Sequence, residues 1–570
     1  MSDFRQEYET AIGQLTQQEG SPFEIGKLQG GDVSYRGFVN APASLPPLLE
    51  SARQFDQQEF IVFEGERWTF ADYFNQVDRL ANVLLTQMNI ESGMRVAIAM
   101  RNYPEWMVAW HAITAIGAIV VPLNSWGSAA ELDYQLKDSE ARVLLCDPQR
   151  LALVDLSALQ ITALVARCDD AELPDGASKL SSLLEDTPAE CPQVNTLEAP
   201  EAEDLAMIMY TSGTSGKPKG ALFTHRSCCQ AVVNLELSAA TAYMTNMDQF
   251  NAFLGKQLPS KALLAVPLFH VSGLYSQFLL NLRGGRTIVI MYKWDVTRAC
   301  DLIAEEKITS VFGAPSMLMD LLQSAEFSRI DSSCIINITG GGASSPEKLS
   351  DLRRTATPDA MAGAGWGMTE TGGTGSTFTG AVARAKPKAS GFISPVVELR
   401  FCNESGEEVP AGEPGEIWVK SPCNVSGYLN RESETAAQFQ AGWFKSGDVG
   451  YVGEDGCMYI CDRVKDVVIR GGENIYPIEI ENCLLSMPGV DSVTAFGIDS
   501  EALGEELAVV VKASADKSIT EDDVKRHCKN ELAHFKVPGH VRFTTDPLPT
   551  NVTNKILKKV VKETFFPTTA

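Results

Sequence analysis

Short apolar runs rich in β-branched residues recur along the first two thirds of the chain, among them Arg95-Val-Ala-Ile-Ala-Met100, Ala141-Arg-Val-Leu-Leu-Cys146, Leu205-Ala-Met-Ile-Met209 and Arg286-Thr-Ile-Val-Ile290. Such runs are too short for helices and nearly continuous in apolar character, which predicts strands buried on both faces. Between them lie stretches such as Glu105 to Ile119 with helical character, so the alternation predicts an α/β fold of parallel sheets flanked by helices. Beyond about residue 390 the texture changes. Val396–Phe401 and Gly415–Lys420 alternate with period two and predict antiparallel strands, read as a distorted β-barrel closing a large domain. After Lys465 a smaller α+β tail follows: helix Pro477 to Met487, strand Leu507 to Lys512, a helix opened by the capping box Thr520-Glu-Asp-Asp523, and strand His540 to Phe543. No internal repeat or low-complexity linker interrupts the pattern.

Directly after Leu205–Met209 comes Tyr210-Thr-Ser-Gly-Thr-Ser-Gly-Lys-Pro-Lys-Gly220, and Ala221-Leu-Phe223 then predicts a returning strand. Glycines let backbone N–H groups converge on an anion, hydroxyls donate further bonds and lysines add charge, so the loop is built to wrap phosphates. It is not a Walker A loop, because Gly213 and Gly216 enclose two residues rather than four and Pro218 follows Lys217.

This loop resembles the phosphate-binding signature of the adenylate-forming superfamily, the acyl-CoA synthetases, firefly luciferase and the adenylation domains of peptide synthetases. Further segments match in the family's order: Pro267–Leu274, Thr339-Gly-Gly-Gly-Ala343, Gly365-Trp-Gly-Met-Thr-Glu-Thr371, Gly442–Asp448, Asp462–Pro477 and Leu548–Ile556. The resemblance implies a large N-terminal domain, residues 1–464, of two α/β sheet subdomains and the barrel. A small mobile C-terminal domain, residues 465–570, would turn about a hinge at Lys465. It also implies the chemistry. A carboxylate has oxide as its leaving group, so it is first joined to the α-phosphate of ATP, giving acyl-AMP and pyrophosphate; CoA thiol then displaces AMP. Bringing an anion to an anion is an electrostatic problem for lysine, backbone donors and Mg²⁺.

By resemblance, Thr211, Ser212, Gly213, Thr214 and Lys219 hold the β- and γ-phosphates, Thr369 and Glu370 act at the α-phosphate, and Thr211 and Glu370 face the metal. Gly341, Gly342, Ala343 and Gly367 line the nucleotide, with Trp366 stacked on adenine. Asp448 accepts from the ribose hydroxyls and Arg463 donates to the same sugar. His270 lies beside the acyl carboxylate, Lys555 supplies charge at the α-phosphate, and Gly471, Gly472 and Glu473 meet CoA. Taken singly, Gly-Asp is a turn, Asp-Arg a solvated pair and a tryptophan between glycines a core residue; the motif context reverses these readings. His225 is read as structural. In the tail, Lys555 alone follows the tight Thr553-Asn554 turn, and Lys558, Lys559 and Lys562 are expected to form a solvated cationic face. The family's usual Thr-Gly-Lys stands here as Thr553-Asn-Lys555, and Asn tolerates the positive φ such a turn requires.

The acid is narrowed by one position. Amino-acid-activating relatives place Asp after the aromatic where this chain has Phe269-His270, and a buried ammonium without a partner is costly, so an uncharged acyl tail is expected. Met244, Met247, Phe250, Phe253 and Leu254 are candidates for an acyl channel, with ordinary packing equally compatible with their spacing. A fatty or other aliphatic acid is favoured over an aromatic one; an aryl-CoA ligase, or an adenylation enzyme loading an acyl-carrier protein, shares nearly every motif. No carrier module follows Lys555, and a regulator without catalysis is expected to have lost Glu370, Asp448 or Lys555, all present.

Bulk properties agree with a large enzyme. The chain has 570 residues, 44% of them hydrophobic, enough for more than one core. A formal charge of −25 argues against nucleic acid or an anionic membrane as partner. It also requires that ATP and CoA be attracted by local cations. Thirteen cysteines are scattered without a C-x-x-C pair, and neither a basic leader nor an apolar run of membrane-spanning length is found. A cytoplasmic location is expected, with the acid and CoA as small-molecule partners and a homodimer as the assembly left open.

Overall fold

The computed structural model describes residues 4–567 apart from 169–171, 191–196, 212–216, 341–346, 472, 501–502, 515–516 and 551–555, and apart from the side chains of residues 347 and 348. Within them the buried apolar runs do form two largely parallel sheets. The seven-stranded sheet runs in the order Lys219–Thr224, Leu205–Thr211, Ile119–Pro122, Arg95–Ala99, Val143–Cys146, Thr162–Val165, Ala177–Lys179. Its first pair is an antiparallel hairpin in which Thr211 faces Lys219, so the returning strand expected from Ala221–Phe223 carries the phosphate-loop segment at its tip. The nine-stranded sheet has six parallel strands in its middle, Met361–Trp366, Asn337–Gly340, Ser310–Gly313, Lys261–Leu264, Thr287–Ile290 and Glu59–Phe63, with antiparallel strands at both edges.

Helices fill the space between these sheets. Pro104–Ala115 starts with proline, whose missing N–H costs nothing there, and is buried on nearly all sides. Its end falls short of the expected Ile119, which begins a strand. Phe70–Thr86 and His225–Thr245 both open with reciprocal caps, Thr69 with Asp72 and Thr224 with Ser227. One continuous apolar core contains residues of both sheets and these helices. The buried Asn102 stitches the sheets together: its amide donates to the carbonyls of Val266 at 3.0 Å and Met291 at 3.3 Å and accepts from Leu268 N–H at 3.1 Å. That fixes the start of the Pro267–His270 element.

A third, antiparallel sheet follows, from Glu398–Cys402, Gly415–Lys420, Phe439–Gln440, Trp443–Val452 and Met458–Arg463, in the place of the expected barrel. Among the described residues its pairings leave it open. The chain then passes through a single exposed turn, Val464–Asp466, into the small domain. There helices Pro477–Leu485 and Glu521–Glu531, the latter capped by Thr520 as expected, cover a sheet built on Val490–Ser500, Gly504–Ala513 and His540–Thr544. This unit has its own core, which includes Val468, Ile480, Leu507, Val509 and Val541.

His225 is the structural residue the sequence suggested. Its Nδ1 accepts the N–H of Leu45 at 3.2 Å, so adding a proton there would set a donor against a donor. Burial, partly opposed by Asp204, lowers its pKa to about 4, and burial lowers that of His111 to about 3. Both folded values lie below the ordinary histidine value, so the unfolded chain binds protons that the folded chain refuses. The stabilisation from the neutral rings is complete above pH ~6.5 and is lost as pH falls from there toward 4. Between pH 7 and pH 5 each ring should cost about 2 kcal/mol of unfolding free energy, measured by denaturant titration. His225→Gln should remove its share, and an unchanged pH slope in that variant would assign the loss elsewhere.

Candidate active site

The carboxyl ends of the parallel strands Lys261–Leu264, Ser310–Gly313, Asn337–Gly340 and Met361–Trp366 face a cavity of about 2240 Å³. Open parallel sheets offer ligand sites at this end because strand termini and connecting loops converge there. The small domain closes the other side with Glu481, Thr494, Thr550 and Ile556. Thr211, His270, Trp366, Gly367, Thr369, Glu370, Asp448 and Arg463, drawn from separate motifs, all line this one space.

Asp448 stands at its centre. The carboxylate is 3% exposed, accepts the indole N–H of Trp366 at 2.8 Å through Oδ2, and lies 3.0 Å from Arg463 Nε through Oδ1. Asp448 and Arg463 are direct cross-strand partners on neighbouring antiparallel strands, and this register creates the ion pair. The single-residue readings of turn and solvated pair therefore fail. Trp366 is 3% exposed, and Gly375 packs under its ring. Its visible task is to orient Asp448, and it offers little open face for the stacking on adenine that the motif suggested.

Thr369 and Glu370 occupy a short turn immediately after strand Met361–Trp366. Glu370 is buried, its Oε1 accepts from the Tyr428 hydroxyl at 2.9 Å, and burial raises its pKa above the usual carboxylate range. Gly367 is required by close approach: a Cβ there would lie 2.2 Å from the carbonyl oxygen of Gly373. His270 Nε2 has no partner among the described residues, and burial lowers the ring's pKa to about 4. It is a neutral imidazole at physiological pH.

Other expected residues are not brought here. Ser212, Gly213, Thr214, Gly341, Gly342, Ala343, Gly472 and Lys555 lie outside the described residues. Lys219 does not line the cavity; its ammonium is 2.7 Å from Glu434 and lies over the Tyr428 ring. A lysine already neutralised by a carboxylate is a wall of the loop rather than a free phosphate ligand. Gly471 and Glu473 sit on the small domain away from the cavity, with Gly471 at φ +60°. Of the proposed channel residues, Phe250, Phe253 and Leu254 line the space, joined by Tyr243 and Leu258, whereas Met244 and Met247 do not.

The tail lysines also differ from one another. Lys559 is solvated, with 89% of its side chain exposed. Lys558 is not part of a solvated face: its Nζ lies 2.9 Å from Glu481, donates to the Ala495 carbonyl at 3.1 Å and lines the cavity. Burial acts to lower its pKa, but Glu481 and Asp462 outweigh it and the net shift is upward. Motif reading also missed Arg101, whose guanidinium stacks on Trp126 while Nε and Nη1 are buried without partners among the described residues. Burial and then Arg150 lower its pKa to about 10, and it remains a cation beside a 42%-exposed tryptophan at the cavity rim. An unpaired arginine is visible only once folding shows that no carboxylate reaches it.

These features define a nucleotide-activating ligase site between a large domain and a small closing one. Residues 48–429 match the model of the AMP-binding enzyme family and residues 479–555 that of the AMP-binding enzyme C-terminal domain. The chain belongs to the AMP-binding enzyme family. It is 32% identical over 500 residues to the long-chain-fatty-acid–CoA ligase FadD13 of Mycobacterium tuberculosis, covering 88% of this chain and 93% of that protein. Feruloyl-CoA synthase of Amycolatopsis sp is 34% identical over 517 residues, 91% of this chain and 98% of that one. The o-succinylbenzoate coenzyme A synthetase MenE from Bacillus subtilis, solved with ATP and magnesium ion, superposes with a TM-score of 0.73 at 28% identity, covering 91% of this chain and 100% of that one. The protein is an AMP-forming acid–thiol ligase that uses ATP, Mg²⁺ and CoA.

The site fits the metal. No group of three or more His, Cys, Asp or Glu side chains is poised for a cation among the described residues. Mg²⁺ beside a nucleotide needs only one or two protein carboxylates, because phosphates and water supply the remaining oxygens. The Glu370 carboxylate, near Thr369 and facing the cavity, meets that requirement. When bound, the ion would neutralise phosphate charge.

Asp448→Asn keeps an acceptor for the indole but removes the charge opposite Arg463. ATP binding measured by calorimetry should weaken about ten- to hundredfold. Stability should change little, since Arg463 is one-third exposed and water screens the pair. Undiminished ATP affinity in a folded variant would leave Asp448 a purely structural carboxylate.

Proposed function

We propose that the enzyme converts a long aliphatic carboxylic acid to its acyl-AMP and then to the CoA thioester. The observation that carries this reading is the length of the cavity. It does not stop at the carboxyl ends of the strands but follows them to their amino ends, touching Ser260, Ser310, Asn337 and Met361. Ser260 to Val266 alone spans about 20 Å at roughly 3.3 Å per residue of extended chain. Tyr243, Phe250, Leu258, Phe312 and Met317 supply apolar wall. A cinnamate-sized acid would fill only part of such a channel, although the feruloyl-CoA synthase relative keeps the aryl reading open to test.

In this reading His270 lies beside the acid's carboxylate, Thr369, Glu370 and Thr211 attend the phosphates and the metal, and Asp448 with Arg463 holds the ribose. Arg101 and Trp126 offer CoA a cationic, aromatic rim on a chain of net charge −25. The domain boundary falls at 464/465. The exposed turn Val464–Asp466 is the one described covalent passage between the third sheet and the small domain's core, which supports a hinge at Lys465. The segment that ends in Lys555 is flanked by Thr550 and Ile556, both on the cavity, whereas Gly471 and Glu473 do not line it. Two functional segments of one small domain that cannot serve one opening at once require rotation between the half-reactions.

No helix among the described residues is long and apolar enough to cross a membrane. A cytoplasmic location and an acidic surface that avoids nucleic acid complete the proposal; light scattering decides between monomer and homodimer.

The substrate reading is tested with saturated acids of increasing length, following pyrophosphate release. Each added methylene should raise kcat/KM by up to about fourfold, the worth of roughly 0.8 kcal/mol, until the channel is full. A benzoate or cinnamate that outperforms every straight-chain acid would replace this reading by the aryl one. Thioester formation stimulated by acyl-carrier protein rather than CoA would replace the acceptor.

Lys555→Ala should slow acyl-AMP formation about 10²–10³-fold, the range for losing one preorganised donor to developing charge, and should hardly affect thioester formation from supplied acyl-AMP. Lys559→Ala, on the solvated side of the tail, should match wild type in both half-reactions. Normal adenylation by Lys555→Ala would remove that lysine from the site.

A further inference from the structure

The far end of the acyl channel is not apolar. Arg286 stands immediately before strand Thr287–Ile290 and lines the cavity at the amino end of the sheet, opposite to His270. Parallel register places Lys261 beside Thr287 and hence Ser260 beside Arg286, so the Arg286 backbone lies about 20 Å along the chain, at roughly 3.3 Å per residue, from the catalytic end near Val266. Its backbone N–H is held by the Asn281 carbonyl at 3.0 Å, and the Asn281 amide donates to the Gln277 carbonyl at 2.5 Å. Arg286 is thus anchored to the π-helical turn Leu274–Leu279 that forms one channel wall.

No carboxylate meets it. Among the described residues Arg286 has no ion pair and no side-chain hydrogen bond, and burial with no compensating anion lowers its pKa. Three positions earlier, Arg283 shows what this fold does with a structural arginine: Nε is 2.8 Å from Glu236 and Nη1 donates to the Leu48 carbonyl at 2.9 Å. Arg286 is half-buried, and an alkane terminus that covered its guanidinium without supplying an anion would add a desolvation cost. A fork of N–H donors suits a carboxylate, which it can engage through two parallel bonds.

We propose that the acid activated here is a long-chain acid with a second carboxylate at its far end, bound by Arg286 while the first is presented beside His270. This rests on the reading that the channel receives the acyl tail, and it names the class of tail. The two ends are then unlike: a neutral imidazole with the nucleotide at one, a permanent cation at the other. A dicarboxylate is aligned along the channel with its distal charge neutralised, whereas a monocarboxylate of equal length leaves Arg286 unpaired.

The test compares monocarboxylic and α,ω-dicarboxylic acids of matched chain length, measured by pyrophosphate release in the presence of ATP and Mg²⁺ and by calorimetric binding of each acid. Wild type should favour the dicarboxylate, and Arg286→Met should lower the dicarboxylate-to-monocarboxylate ratio of kcat/KM roughly ten- to hundredfold, as expected for one charge-assisted contact. Arg286→Lys should keep part of the ratio, since a point charge remains without the fork. Dicarboxylate affinity in the calorimeter should fall in parallel. A ratio unmoved in both variants, or a wild type that binds and turns over the monocarboxylate better, would overturn the proposal. If neither class of acid yields pyrophosphate in wild type, the ligase substrate reading itself has failed, whereas turnover of monocarboxylates with an unmoved ratio rejects only the role of Arg286.

Discussion

The buried carboxylate of Asp448 is the constraint on which the site depends. A charge withdrawn from water survives only with partners, and Asp448 has one on each side: the Trp366 indole from the nine-stranded sheet and the Arg463 guanidinium from its own antiparallel sheet. Sheets that share no strand are thereby joined at one side chain. The same strand pair continues past Arg463 to Asp462, whose carboxylate accepts the N–H of Ile478 at 2.8 Å in the first turn of helix Pro477–Leu485. An anion at a helix N-terminus is stabilised by the orphan N–H groups there. The register that creates the site thus also fastens the small domain, and Asp462, raised in pKa by burial, sits two residues before the exposed turn on which that domain would swing.

Motif order in the chain gave away the fold, the family and eight residues that line the cavity together, because local chemistry recorded them. A strand that must be buried on both faces reads as an apolar run, and Leu205–Thr211 and Lys261–Leu264 are such runs. A glycine that must admit a carbonyl 2.2 Å from its missing Cβ cannot be anything else, hence the legible Gly367. What stayed hidden was partnership over long sequence separations. Lys219 looks like a phosphate ligand until Glu434 is found beside it, and Lys558 looks solvated until Glu481 is. Helical spacing at Met244, Met247, Phe250, Phe253 and Leu254 could not say which face met the channel, because the helix break at Asn246 resets the phase between them. The π-helical turn Leu274–Leu279, which widens one wall, has no sequence signature at all.

Electrostatics at two scales act in opposite directions. The chain carries −25 and repels the polyanions it must bind, yet two guanidiniums with no carboxylate partner among the described residues serve the cavity: Arg101 stacks on Trp126, which lines the rim, and Arg286 lines the far end. Exposed pairs elsewhere, such as Arg5 with Glu9 or Arg354 with Asp351, are worth little and screen one another. A guanidinium kept free of carboxylates while buried is a stored electrostatic cost that a bound anion relieves, and it is relieved only by an anion of the right length or at the right mouth.

The same logic bears on how the two half-reactions succeed one another. In the proposed reaction, adenylation brings three anionic groups together, the acid, the triphosphate and Glu370, and itself releases pyrophosphate, so that charge has left before CoA displaces AMP. Once it has left, less anionic charge remains in the cavity, while the contacts between the small domain and the strand before it are unchanged: Asp462 still accepts the Ile478 N–H, and Lys558, paired with Glu481, still feels the Asp462 carboxylate. In the proposed cycle, loss of the diphosphate thus weakens the attraction that a cation of the small domain would feel, which is the direction required for that domain to turn after the first step and not before it.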